Sequence, residues 1–459
     1  VKSGDYIEAV KFLKKAVQGD EKGSYDANLY YGIALHKTGS LGDAEKYLKK
    51  AVSIDNERPE AYANLGRVYT EQKKLIEAIS QFSKARENLP LNKTAGDLDR
   101  EEIELIVDIL SSEAETYIAD RDPDKAITSL TQAMTYDNKN PLIYVGRGDA
   151  YLFRGSFEPA LTNYKQALNY KPSFAPAFYG LGRVAFRQKK YNEAIEFFTK
   201  AIDTDKNFAE AYFERGLILY LSDKFEPALE SFKKYAELRP GSSRGNTYYA
   251  KTLYAMGKLD DAMVLLDEVL KVDPVSSEAN KYKAYIYIEK KDYKAAEEYF
   301  NKVKKEDFNA EDYAKYAKIH VDQKEFAKAY EYFNKAVELD SSNEITFFEY
   351  GKAQFGDQKY QDALVNFNKA IELGIKNLAA YVYKGISLYY LEKYEEAIVE
   401  FEKSIELDNA FVYAYLWKGN CYAAIGKRPE AIEAYRKVLE LDPANQDAKD
   451  QLTKLGEKI

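Results

Sequence analysis

Small and large apolar residues recur along this chain at a fixed interval. Gly148, Gly182 and Gly216 stand 34 residues apart. Each glycine is followed 12 residues later by an alanine (Ala160, Ala194, Ala228) and 16 residues later by an aromatic (Tyr164, Phe198, Phe232). A further aromatic precedes each glycine by four: Tyr144, Phe178, Tyr212. Within a block the apolar positions fall at helical spacing, as in Tyr212, Gly216 and Leu219, and again in Phe225, Ala228, Phe232 and Tyr235. The pattern predicts two amphipathic helices per block. Glycine and alanine let the two backbones approach, and the aromatics fill the space around them. Between the helices stands Gly155, Lys189 or Asp223; a proline often follows the second helix, as at Pro172, Pro240, Pro274 and Pro443. Proline cannot continue a helix, so it punctuates the block.

This spacing resembles the tetratricopeptide repeat, a 34-residue helix–turn–helix unit. Twelve blocks match it in register, beginning at Tyr25, Pro59, Val107, Pro141, Ala175, Ala209, Ser243, Ser277, Ala310, Glu344, Leu378 and Val412, and all carry alanine at the twentieth position, from Ala44 to Ala431. The resemblance implies an all-α fold, a right-handed α-α superhelical solenoid in which each repeat buries its apolar face against its neighbours. The chain then divides as 1–24, a partial repeat contributing a second helix only; 25–92, repeats 1 and 2; 93–106, an insertion; 107–242, repeats 3 to 6; 243–309, repeats 7 and 8; 310–445, repeats 9 to 12; and 446–459, a capping helix. In the partial repeat Ala9, Leu13 and Ala16 form the inner face, with the partner helix expected upstream of Val1. The insertion reads as a loop at Lys93–Asp99 leading into a lengthened helix. Asn246 and Asn280 stand where repeats 7 and 8 should carry an aromatic, and repeat 8 is one residue short. Residues 243–309 are therefore a candidate flexible joint.

Composition narrows the function classes. The 459 residues would suggest about three domains by length alone, a prior that the repeats override. Charged residues make up 31% and nearly balance, at a net charge of -8. This argues against nucleic acid, whose binders carry basic stripes, and against a polybasic membrane anchor. There are 41 tyrosines but one tryptophan and three methionines; tyrosine suits half-buried surfaces with one wet end. A single cysteine, Cys421, excludes an intramolecular disulfide framework. No apolar run is long enough to span a membrane. With Val1 as first residue a cleaved signal peptide stays open. The Lys/Glu/Tyr-rich repeats have a prokaryotic character, with cytoplasm and periplasm both open.

Candidate chemistry is sparse. His36 and His320 lie far apart, each on a first helix, and without further ligands they read as ordinary helix residues. Cys421 has no histidine nearby in sequence and reads as a small buried side chain. Gly257-Lys258 and Gly426-Lys427 lack the remainder of a phosphate-binding loop. Glu101-Glu102 and Glu395-Glu396 read as solvated helix faces, and Asn92-Lys93-Thr94 is a weak glycosylation signal. No catalytic residue, cofactor or metal site is expected.

The resemblance implies a concave face lined by first helices, with positions 2, 5, 9, 12 and 13 of each repeat turned toward it. In repeats 4 to 7 these positions supply Val145, Leu152, Phe153, Tyr179, Arg183, Phe186, Arg187, Phe213, Tyr220, Leu221, Arg244 and Tyr254. A second patch, in repeats 10 to 12, comprises Phe348, Phe355, Val382, Tyr389, Tyr390, Tyr413 and Leu416. Such a face, if nothing bound it, should be polar. The competing account is that curvature packs these side chains against one another. The residues point to a non-enzymatic scaffold or adaptor whose partners are helical or extended protein segments carrying apolar and acidic residues, with the open N-terminal end a second route to assembly. The alternative is the substrate-recognition arm of an enzyme whose catalytic domain lies outside this chain.

Overall fold

The computed structural model describes residues 3–19 and 24–457; Val1 and Ile459, the two ends of the expected partial repeat and cap, lie outside them. The described residues form 26 α-helices and two short 3-10 turns, with no strand. They divide into two compact units, one running to Pro240 and one from Gly241.

The first unit holds helix α1 (Ser3–Gly19) and six helix pairs: α2 (Tyr25–Lys37) with α3 (Leu41–Ile54), α4 (Pro59–Glu71) with α5 (Leu75–Glu87), α6 (Arg100–Ala119) with α7 (Pro123–Tyr136), α8 (Pro141–Phe153) with α9 (Phe157–Tyr170), α10 (Ala175–Arg187) with α11 (Tyr191–Thr204), and α12 (Ala209–Leu221) with α13 (Phe225–Leu238). The second holds α14 (Ser243–Ala255) with α15 (Leu259–Val272), α16 (Ser277–Glu289) with α17 (Tyr293–Phe300), α18 (Ala310–Asp322) with α19 (Phe326–Leu339), α20 (Glu344–Gly356) with α21 (Tyr360–Glu372), α22 (Leu378–Tyr390) with α23 (Tyr394–Leu407), α24 (Val412–Ala424) with α25 (Arg428–Leu441), and the last helix α26 (Gln446–Lys454). Each unit is an all-α array of stacked helix pairs, as the spacing predicts.

Local chemistry starts and stops these helices. Pro59, Pro123 and Pro141 occupy the first turns of α4, α7 and α8, where a missing N–H costs nothing. Ser24, Asp122, Asn140, Asn309 and Asn343 accept backbone N–H groups at their helix starts. The turn inside each pair needs one left-handed residue. Glycine supplies it at Gly39, Gly155, Gly257 and Gly426; Lys73, Arg121, Lys189, Asp223, Lys291, Lys324, Gln358 and Glu392 adopt it with φ between 57° and 63°.

The core runs between the two helices of every pair. The twelve alanines from Ala44 to Ala431 have no exposed surface. In seven of the pairs a glycine on the first helix admits a ring from the second. A methyl added at Gly182 would lie 2.6 Å from Phe198, and one added at Gly419 would lie 2.7 Å from Tyr435. Tyr164 is seated between two glycines, Gly148 of its own repeat and Gly180 of the next, and its hydroxyl donates to Asp149 Oδ1 at 2.7 Å.

Three places depart from the plain pair. Residues 93–106 hold a 3-10 turn (Ala95–Asp97) and the start of α6, where Asp99 and Glu102 cap each other's backbone; the result is a 20-residue helix where most first helices have 13. In repeat 8, α17 is only eight residues long, and a 3-10 turn (Lys305–Asp307) replaces its last turns. In α1 the packed side chains are Val10, Leu13 and Val17, not the face of Ala9, Leu13 and Ala16 expected from the spacing; Ala16 is exposed. Volume decides this, because valine buries more apolar area than alanine.

Candidate functional site

The first helices of repeats 4 to 7 place the sequence-identified residues at three depths. Leu152 and Phe213 are buried, at 2% and 3% exposure. Leu152 packs with Tyr164, Leu181 and Val184, and the Phe213 ring lies 5.1 Å from that of Tyr235. Both are core residues that no partner can touch without repacking, which corrects their assignment to the lining. Val145, Tyr179, Arg183, Phe186, Tyr220 and Tyr254 are half-buried. Phe153, Arg187, Leu221 and Arg244 are exposed.

Arg183 is already occupied. Its guanidinium meets Asp149 Oδ1 at 2.7 Å and lies over the Tyr179 ring. Asp149 comes from the same register position one repeat earlier and also accepts the Tyr164 hydroxyl. Burial pushes the Asp149 carboxyl upward, and Arg183 opposes that shift. Burial, with Glu214 second, pushes the Tyr179 hydroxyl up to about 12. Arg183 therefore serves the wall of the groove, and an acidic partner would share its guanidinium with Asp149.

The second patch divides in the same way. Phe348, Val382 and Leu416 are buried, at 5%, 7% and 6% exposure. Phe348 lies against Phe367, Val382 shares a cluster with Phe401, and Leu416 shares one with Tyr435 and Leu452; these three too belong to the core. Phe355 and Tyr389 are half-buried, while Tyr390 and Tyr413 are exposed at 49% and 61%. Tyr390 stacks on Tyr360 with centroids 4.7 Å apart, and the Trp417 ring lies 5.2 Å from that of Tyr389. Ring-on-ring packing gives this patch a firm aromatic floor.

One group of residues escaped the reading of apolar positions. A groove of about 370 Å³ between α6 and α8 is lined by the apolar Val107, Ile118 and Val145, with Leu142 at its edge, and by the acidic Glu104, Asp108, Glu115 and Asp149. The signal was present in the sequence: Glu104, Asp108 and Glu115 follow one another at intervals of four and seven, one stripe of a helix.

The remaining chemistry is local. His36 Nε2 sits 2.8 Å from Glu71, and His320 Nδ1 sits 2.8 Å from Glu325. Among the described residues no group of three or more His, Cys, Asp or Glu is placed to hold a metal. Cys421 is fully buried, and burial pushes its thiol up to about 12, the opposite of what a nucleophile needs. No helix among the described residues is long and apolar enough to cross a membrane.

Models of the tetratricopeptide repeat match residues 1–59, 59–86, 145–207, 253–319, 378–411 and 412–445, more than half of the sequence. The chain belongs to the tetratricopeptide repeat family. A model of anaphase-promoting complex, cyclosome, subunit 3 also matches, over residues 188–269 and 289–370. No curated protein matches. Among solved structures the chain is similar to the APC/C hetero-tetramer Cut9-Hcn1 at 14% identity, covering 99% of this chain and 94% of that one with a TM-score of 0.48. It is similar to yeast Tom70 at 18% identity, covering 94% and 95% with a TM-score of 0.37, and to Pseudomonas aeruginosa PilF at 20% identity, covering 50% and 97% with a TM-score of 0.38. These are likenesses to the chain and do not say what it binds. As a tetratricopeptide array, the protein has the architecture of a protein-interaction scaffold.

Proposed function

We propose that this tetratricopeptide protein is a non-enzymatic scaffold that holds segments of partner proteins against its first-helix faces. The observation that carries the reading is the exposure of large apolar side chains there: Leu142 at 61%, Phe153 at 45% and Leu221 at 64% in the first unit. Burying each would contribute about 1.5–3 kcal/mol before ordering costs, so three anchors suffice for a stable contact. Arg187, exposed beside them in register, would meet an acidic group of the partner. Tyr390 and Tyr413 form a second docking patch in the second unit. A helical or extended segment suits a face built from parallel helix surfaces.

The test compares affinity capture by the full chain with capture by Leu142→Ser/Phe153→Ser/Leu221→Ser, read by quantitative mass spectrometry. The variant should lose roughly tenfold or more of the captured partners while its helical circular dichroism is unchanged, because all three side chains are exposed. Equal capture by both proteins refutes the reading.

A further inference from the structure

The ninth position of successive first helices forms a charge ladder in the first unit: Arg67, Glu115, Asp149, Arg183. Two anions are neighbours, and each has an arginine on its outer side. The arginines do not share themselves equally. Arg67 pairs with Asp108 and donates to Ser112 Oγ at 3.0 Å. Arg183 pairs with Asp149. Glu115 makes no ion pair or side-chain hydrogen bond among the described residues, yet the groove walls desolvate it and push its carboxyl upward, with Asp108 and Asp149 adding to the shift and Arg67 and Lys37 opposing it.

The surroundings are one-sided. Five carboxylates line the groove, Glu104, Asp108, Glu115, Asp137 and Asp149, and no lysine or arginine does. Its floor is apolar, and at about 370 Å³ it has room for much more than one ion. Leu142, at 61% exposure, stands at its edge. We infer that this groove docks a basic segment of a partner protein, with a lysine or arginine against Glu115 and an adjacent apolar side chain on Leu142 and Val145. The inference rests on the first-helix face being a docking face and adds the chemistry of one stretch of it. A cation delivered from outside supplies the direct ion pair that Glu115 lacks, since Arg67 acts on it only from a distance. The apolar floor asks for a side chain next to that cation, which a free metal ion or polyamine would not bring. A nucleic acid is repelled by the same carboxylates.

The experiment pans a random 12-residue display library against the full-length chain. Selected clones are then titrated as synthetic peptides against wild type, Glu115→Gln, Glu115→Lys and Phe153→Ser/Leu221→Ser. Glu115 lines the open groove and has no ion pair or side-chain hydrogen bond to lose, so both substitutions should leave the fold intact, which circular dichroism checks. The inference expects clones that pair lysine or arginine with an apolar residue. Their affinity should fall about tenfold on Glu115→Gln, fall further on Glu115→Lys, and weaken as salt rises. Basic clones indifferent to both Glu115 variants overturn it. Clones without basic residues that respond only to Phe153→Ser/Leu221→Ser also overturn it, while leaving the broader docking reading standing. Clones indifferent to every variant overturn both.

Discussion

Repeats 4 to 6 and repeats 7 to 9 solve the same packing problem with different residues. In the former, Gly148, Gly182 and Gly216 face Tyr164, Phe198 and Phe232, and the helix pair closes because the first helix has no side chain there. In the latter the same position is Ala250, Ala284 and Ala317, all fully buried. Asn246 and Asn280 replace the aromatic that stands four residues earlier in repeats 4 to 6. Asn280 is buried and donates to the carbonyls of Pro274 and Ser276 at 3.2 and 2.9 Å. Charge then enters the interior. Lys281 on α16 pairs at 2.8 Å with Asp312 on α18, and both are almost wholly buried. Asp312 also accepts the Tyr285 hydroxyl and the Asn309 N–H. The comparison teaches that one repeat pattern can be held by size in one stretch and by polar pairing in another. The polar solution occurs where α17 is cut short and Phe308 folds over Phe300 to fill the gap.

The largest effect expected follows from that pairing. Asp312→Ala leaves the buried Lys281 ammonium with only Glu278, at 3.7 Å, and the Asp307 carbonyl as partners, and the cost should be about 3 kcal/mol. Stability in a repeat array is nearly a sum of local terms, so the loss should appear as faster amide exchange in α16 to α18 and leave α8 to α12 unchanged. The double variant Lys281→Met/Asp312→Asn should recover part of it, because it removes both charges, keeps the volume and leaves an acceptor for the Tyr285 hydroxyl. If Asp312→Ala is as mild as a surface substitution, the polar account of repeats 7 to 9 fails.

Second comes the size-based contact. Gly→Ala in a helix interior normally stabilises by about 1 kcal/mol. At Gly180 the added methyl would overlap the Tyr164 ring, which cannot retreat because Gly148 packs its other side and Asp149 holds its hydroxyl. Gly180→Ala should therefore destabilise, by about 1–3 kcal/mol. Denaturant midpoints of the two proteins give the sign, and a stabilised variant would sink the size argument.

The glycine contacts were legible in the sequence because only one residue type fits a backbone approached that closely, so periodicity alone exposed them. The groove was harder to read. Leu152 and Phe153 are adjacent and both apolar, yet one is 2% exposed and the other 45%. A 100° turn of the helix separates core from surface, and hydropathy does not carry that angle. The arginines mislead for another reason. Arg183 reads as a free cation until Asp149, a full repeat away in sequence, is seen against it. That pair becomes visible when the same register position is compared down the array, as Asp149 and Arg183 show.

Hydrogen exchange also addresses the proposed joint at 243–309. An eight-residue helix has few internal hydrogen bonds to lose. The amides of Tyr293–Phe300 should exchange about tenfold faster than those of the 14-residue α13. Exchange no faster than in repeats 4 to 6 would remove the joint and leave repeats 7 to 9 different in chemistry alone.

The smallest effect lies in a feature that both stretches share. Lys189 and Lys291 each close the turn of their repeat with φ near +60°, a conformation that costs a residue bearing a Cβ about 1–2 kcal/mol. Glycine removes that cost but loses more entropy on folding, so Lys189→Gly and Lys291→Gly should each stabilise by about 0.5–1 kcal/mol. Equal gains at the two sites would place the difference between the stretches entirely in their helix contacts. A gain at Lys189 with a loss at Lys291 would mean that the lysine side chain supports the turn of the shortened repeat, because the backbone bond, from Lys189 N–H to Phe186 and from Lys291 N–H to Ile288, is 2.9 Å in both turns and survives glycine. Thermal midpoints of the two variants, measured beside wild type, separate these outcomes, because the same substitution is made in the same turn and only the surrounding repeat differs.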